Sequence, residues 1–222
     1  MVKAFISLIM NERFGDITSK PGAPFLGASL SVGRLCTTCE GVFANVSFKD
    51  GDAVNAFGAM MLEVEKMKRF GFTDGEVERA KAKIMSHYER AVEAAPTRKN
   101  ADFVRPLLNA FYHNEAYMDP ETELQVAQMI CSQLNAAVLS QIAASMITDE
   151  NMVVLYNGPE KEGLVNPTEE ELAAVIAAVK NAEIEANVEE AVNEPLISKN
   201  LKGSKVKKAE EGIYGSTVWT LK

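Results

Sequence analysis

The first apolar positions of the chain recur with helical spacing. Phe5, Ile6, Ile9 and Met10 predict a helix over residues 2–14. Gly15, Pro21-Gly22 and Pro24 then break the period and mark a loop. From Phe25 the pattern changes to period two, with Leu26, Ala28, Leu30 and Val32 on one face and Gly27, Ser29 and Ser31 on the other. Gly33-Arg34 is expected to form a tight turn, since glycine at the first central position suits a type II′ hairpin. A second strand follows, in which Val42, Ala44, Val46 and Phe48 alternate with Phe43, Asn45 and Ser47. Two antiparallel strands with one apolar face require a layer of helices over that face.

Helical spacing dominates the next hundred residues. Asp50-Gly51-Asp52 opens a helix that runs to about Phe70 and turns Phe57, Met60, Met61, Val64 and Met67 inward. Thr73-Asp74-Gly75-Glu76 has the form of a capping box, in which threonine and glutamate satisfy each other's free backbone amides. Its helix carries Val77, Ala80, Ile84, Tyr88 and Val92 and stops at Pro96. Further helices are expected at about 98–113, 119–131 and 133–147, the second with Pro120 in its first turn after Asp119. Residues 152–156, closed by Asn157-Gly158-Pro159, read as a strand joining the same sheet. Thr168 and Glu171 form a second capping box, on a helix ending near Asn181. From about 184 to 212 neither period persists, and Pro195 and Gly203 interrupt; connectors that long are uncommon inside one domain. Residues 216–221 begin a new strand.

The fold class read from these patterns is α/β of the α+β kind: two layers, an antiparallel sheet packed against several helices. The expected organisation is a partial domain over 1–183, an extended connector over 184–212 and the opening strand of a following domain over 213–222. The whole reads as a piece of a longer polypeptide.

Composition narrows the function classes. With 222 residues, 47% of them hydrophobic, the chain can close a core without metal or disulfide staples. No run approaches the roughly 18 apolar residues of a membrane span. Residues 4–10 lead into Asn11-Glu12-Arg13 with no small-residue cleavage site, so they do not form a signal peptide. The net charge of −8 is uneven: residues 160–194 hold ten acids and two bases, and residues 195–222 hold six bases and two acids. Lys199, Lys202, Lys205, Lys207 and Lys208 lack interleaved aromatics, on a chain with pI near 5.0. A solvated linker, not a nucleic-acid surface, fits them.

Candidate chemistry is sparse. Cys36-Thr37-Thr38-Cys39 is a C-x-x-C motif, but it lies in an extended segment. A redox site of the thioredoxin type would set the first thiolate at a helix N-terminus. A four-ligand zinc site needs two further ligands, and only Cys131, His87 and His113 remain, on separate predicted helices. Structural cysteines are the first reading, redox chemistry the second and metal binding the third. His87 reads as a partly exposed structural histidine, and His113 ends a helix where an imidazole can meet free carbonyls. No nucleophile-elbow, phosphate-loop or dinucleotide glycine pattern occurs.

Several segments together carry a resemblance. They are Phe14-Gly15-Asp16-Ile17-Thr18, Gly22-Ala23-Pro24-Phe25-Leu26-Gly27-Ala28, Phe70-Gly71-Phe72-Thr73 and Glu76-Val77-Glu78-Arg79-Ala80-Lys81. Asn157-Gly158-Pro159-Glu160-Lys161-Glu162-Gly163, Pro167-Thr168-Glu169-Glu170-Glu171-Leu172 and Val218-Trp219-Thr220-Leu221 follow in the same order. Their order and spacing resemble the pitrilysin/insulinase family of zinc metallopeptidases, over essentially the whole chain. The resemblance implies the half-domain fold shared with mitochondrial processing peptidases, here as the non-catalytic second unit of the first half, followed by the inter-half linker. It also implies that zinc belongs to another unit, which carries the motif H-x-x-E-H and a distal Glu; this chain has no H-x-x-E-H. Activity from this chain alone is not expected, and no cofactor is assigned to it.

The implied partners are the catalytic unit and second half of the same polypeptide, and unfolded peptides in a chamber this chain helps to wall. The implied compartment is the periplasm or cell envelope, with the cytoplasm open. The family uses an Arg and a Tyr near a helix end and a strand start to contact substrate. Arg13 and Phe25 stand at comparable places and are the candidate substrate-binding residues, although Phe25 has no hydroxyl and packing is its alternative role. The resemblance further implies strands before residue 1. The sheet is therefore expected to recruit a substitute, from residues 217–221 or from a second copy in a homodimer. A reading from a different class is a self-standing protein-interaction module docking through the helices of 53–147.

Overall fold

The alternation that starts near Phe25 becomes a hairpin. In the computed structural model, which describes residues 1–148, 150–188, 197 and 202–222, β1 (Gly27–Cys36) pairs antiparallel with β2 (Cys39–Ser47). The turn is Thr37-Thr38, four residues beyond the expected Gly33-Arg34. Gly33 faces Gly41 and Arg34 faces Glu40, so the ladder simply continues past the glycine. Ion pairs from Glu40 to Lys3 and from Arg34 to Glu115 hold the extended tip.

The helix α1 (Val2–Thr18) runs one turn past the expected end, straight through Gly15. Phe5, Ile6, Ile9, Met10 and Phe14 are all buried against Leu30 and the neighbouring helices. Its polar residues do a second job. Asn11 Nδ2 donates to the Leu30 carbonyl at 3.1 Å and Asn11 Oδ1 accepts from Leu30 N at 2.8 Å. Ser7 Oγ accepts from Val32 N at 3.2 Å. These bonds satisfy the outer edge of β1, which a helix thereby closes to further strands.

Next come α2 (Ala53–Phe70), α3 (Asp74–Ala94), α4 (Asn100–His113), α5 (Pro120–Gln133), α6 (Ala136–Met146) and α7 (Glu169–Asn181). Both expected capping boxes are present, at Thr73 with Glu76 and at Thr168 with Glu171. Asp119 caps α5 by accepting from Thr122 N at 2.8 Å. One shared core joins α1, β1, α2, α3 and α6, with Phe57, Met60, Val64, Met67, Val77, Ala80, Leu139 and Ala143 buried. Arg69 pins the end of α7 to α2 by donating to the carbonyls of Lys180 and Ala182 at 2.7 and 2.8 Å.

Two expectations are corrected. Residues 152–156 form no ladder with β2. The Tyr156 ring stacks on Phe48 at 5.9 Å and its hydroxyl donates to Asn166, so side chains hold the segment while Val153 and Leu155 point to solvent. Residues 217–221 do not substitute for a missing strand. The strand β4 (Thr217–Leu221) pairs instead with β3 (Val206–Glu211), in a two-stranded sheet of its own. The region read as a connector thus contains a strand, while its residues 189–196 and 198–201, with Pro195 and Lys199, lie outside the described residues. Residues 1–189 and 190–222 form two compact units. The fold is mixed α/β: among the described residues, seven helices and two small antiparallel sheets.

Candidate functional site

Arg13 lies in the last turns of α1, at the point where α1 crosses the turn between α2 and α3. Its side chain is buried, with 7% of its surface exposed. Nε and Nη2 donate to Glu76 Oε1 and Oε2 at 2.6 and 2.8 Å, a two-pronged pairing that matches the guanidinium plane to the carboxylate. Nη2 also donates to the Gly71 carbonyl at 2.9 Å, and the guanidinium carbon stands 5.2 Å from the centre of the Phe72 ring. Asn187, with its amide oxygen turned toward the guanidinium, accepts from Nη1 at 3.2 Å and from Nε at 3.0 Å. Every nitrogen of Arg13 therefore has a partner inside the fold.

Glu76 belongs to two motifs at once. Its Oε2 accepts from Thr73 N at 2.8 Å, completing the capping box, while both its oxygens face Arg13. Burial by itself would raise this carboxyl. The Arg13 and Thr73 hydrogen bonds and the guanidinium charge outweigh burial and hold the carboxyl below its ordinary range. A depressed pKa contributes stability above the unfolded-state value, about 4.3, and that stability disappears as pH falls through the folded-state value. In urea titrations, the stability gap between the natural chain and Glu76→Gln is thus expected to be constant above about pH 5 and to narrow below about pH 4. A gap that did not change across this range would mean the carboxylate is not the group acting.

Phe25 precedes β1 and is 3% exposed; its ring meets Phe14 edge-to-face at 6.0 Å and 83°. The two candidate residues are thus placed around the same helix end, and both side chains are directed into packed surroundings. Neither presents a polar atom to a cleft. The signal for the Arg13 network was partly legible, since Glu76 is marked by its capping box, but nothing in the spacing pairs it with residue 13.

The two histidines stand on different helices. His87 is on α3, exposed beside Tyr88, and His113 ends α4. Among the described residues, no group of three or more His, Cys, Asp or Glu side chains could hold a metal ion. No described helix is long and apolar enough to cross a membrane. A shallow cleft of about 290 Å³ lies between α4, α5 and the loop joining them, where Arg98, Arg105, Glu115, Tyr117 and Glu123 mix both charges.

No known protein-family pattern matches the chain, and no curated protein matches it by sequence. Solved structures do match. The periplasmic protease PqqL from Escherichia coli aligns with 99% of this chain at TM-score 0.71 and 18% identity, and the chain covers 24% of it. The first half of PqqL aligns with 83% of this chain at TM-score 0.67 and 15% identity, with 40% of that half covered. A predicted insulinase family protease from Yersinia pestis aligns with 80% of this chain at TM-score 0.60 and 12% identity, and 38% of it is covered. The chain therefore spans about a quarter of the length of PqqL, and what it shares with these proteases is the insulinase-like half-domain fold.

Proposed function

We propose that this chain is a non-catalytic unit of a zinc-dependent endopeptidase, forming part of the wall around unfolded peptide substrates. The carrying observation is a protease-type fold along 99% of a chain whose two histidines stand 26 positions apart, outside any H-x-x-E-H motif. Zinc and the proton-accepting Glu belong, in this reading, to a companion unit of the same polypeptide, and the second half of that polypeptide is the other partner. The matched share falls from 99% to 83% when PqqL is cut to its first half. The C-terminal residues are read here as linker and opening strand of a second half. A periplasmic location follows from the same likeness.

The hairpin narrows how peptide could be met. Asn11 and Ser7 already occupy the outer edge of β1, so an extended peptide pairing with this sheet would use the outer edge of β2. In this reading Arg13 acts behind the wall by holding α1 to Glu76 and the Gly71 turn, and Phe25 by packing on Phe14, neither by touching substrate. Zinc titration and a peptide-hydrolysis assay on the chain alone are expected to give neither stoichiometric binding nor cleavage. Tight zinc binding with turnover would overturn the proposal.

A second reading, a protein-interaction module, is favoured by α4. None of its residues is buried, and Val104, Leu107, Leu108, Phe111 and Tyr112 are all about half exposed or more. The two readings part on one measurement. Capture of a defined partner by the chain alone, with no H-x-x-E-H unit encoded beside it, would favour the second.

A further inference from the structure

Cys36 and Cys39 stand opposite each other at the end of the hairpin, and the proposed function uses neither. Cys36 closes β1, Cys39 opens β2, and the two are register partners joined only by Thr37 and Thr38. Antiparallel partners lie roughly 4.5–5.5 Å apart at Cα, within the window of about 4.4–6.8 Å that a disulfide spans. A register shift between Arg34 and Cys36 gives the strand a bulge just before the first thiol, which increases its local twist.

Both thiols are free and exposed. Cys36 Sγ lies 3.7 Å from Thr38 Oγ1, and the Cys39 thiol donates to the Glu40 carbonyl at 3.8 Å, so each is engaged only by weak sulfur contacts. The Thr38 backbone N–H, and after it the Thr38 hydroxyl, hold the Cys36 thiol below its ordinary value. The tight turn thereby supplies what a helix N-terminus supplies elsewhere, a donor aimed at the thiolate. Cys131 is the opposite case: half-buried on α5, it is pushed up by burial.

We propose that Cys36 and Cys39 form a reversible dithiol site that exchanges with low-molecular-weight disulfides and closes into a disulfide across the hairpin turn. The Cys36 thiolate, its proton released to water, attacks one sulfur of the small disulfide. That S–S bond breaks, one small thiolate leaves, and a mixed disulfide remains on Cys36. Cys39 then loses its proton and attacks Cys36 Sγ, displacing the second small thiolate. Two protein thiols are oxidised by two electrons, one small disulfide is reduced to two thiols, and the two released protons end on the leaving groups. An exposed bond on so short a turn belongs with the labile disulfides, not the structural ones.

The test treats the reduced full chain with excess oxidised glutathione, alkylates the remaining thiols and maps the peptides by mass. The peptide from Leu35 to Lys49, which holds both cysteines, is expected to emerge two hydrogens lighter and unalkylated, with Cys131 alkylated. Cys39→Ser is expected to stop at one glutathione on Cys36, and Cys36→Ser to lose the two-hydrogen shift. Two alkylated cysteines in that peptide after oxidation, or a bond joining two copies or reaching Cys131, would overturn the proposal.

Discussion

Arg13→Ala is expected to destabilise the N-terminal unit by about 3–5 kcal/mol, the range for removing one partner of a buried ion pair. The cost has little to do with the attraction lost. Glu76 would stay behind with about a tenth of its side chain exposed, its Arg13 partner gone and only the Thr73 amide and hydroxyl left to donate to it. The Gly71 carbonyl and the Asn187 amide oxygen would lose their donor in the same step. Arg13→Lys should recover only part of this, because an ammonium cannot reach two carboxylate oxygens and a carbonyl with a planar fork. Glu76→Ala should cost about as much, and the double variant clearly less than the two single losses together. Urea unfolding followed by circular dichroism measures all four. If Arg13→Ala left unfolding unchanged while weakening peptide binding to the full-length protein, the substrate-facing role would be the correct one.

Local signals were legible wherever the chain satisfies its own backbone. The capping boxes at Thr73 and Thr168 and the Asp119 cap involve partners three residues apart, and the alternation of Val42, Ala44 and Val46 shows in its own period of two. What escaped depends on partners distant in sequence. Gly33-Arg34 looks like a turn until Glu40 and Glu115 are seen to hold the tip extended. Residues 152–156 have the composition of a strand, but the segment is held through the Tyr156 side chain, on the Phe48 ring and Asn166, and not through a backbone ladder. On the outer edge of β1, Leu30 and Val32 bond to Asn11 and Ser7, polar residues of a helix whose apolar residues alone were informative. Arg13 illustrates the limit best. Its place at a helix end is legible from the local pattern, whereas its pairing with Glu76, 63 residues away, is not.

The same clamp depends on a glycine, and Gly71→Ala is expected to be as damaging as the loss of Arg13. Gly71 ends α2 at φ 70° and ψ −136°, a conformation that L side chains rarely adopt, and strain there costs about 1–3 kcal/mol. Crowding adds to it. A Cβ at this position would stand 2.0 Å from Ser140 Oγ, 2.2 Å from Ser140 Cβ and 3.2 Å from its Cα, so turning the hydroxyl aside would not make room. The α6 backbone would have to move, and overpacking of that kind costs about 1–3 kcal/mol more. Ser140 cannot retreat freely either: its Oγ accepts from Phe72 N at 2.9 Å and donates to the Ala136 carbonyl at 2.6 Å. A shift of Gly71 would also move the carbonyl that receives Arg13 Nη2. The two causes separate in a Ser140→Gly background, which removes the two closest contacts, at 2.0 and 2.2 Å, and leaves the backbone strain. There, Gly71→Ala is expected to cost distinctly less than in the natural chain, though still more than an ordinary surface substitution. Equal costs in both backgrounds would show that the close approach of α6 to this turn contributes nothing.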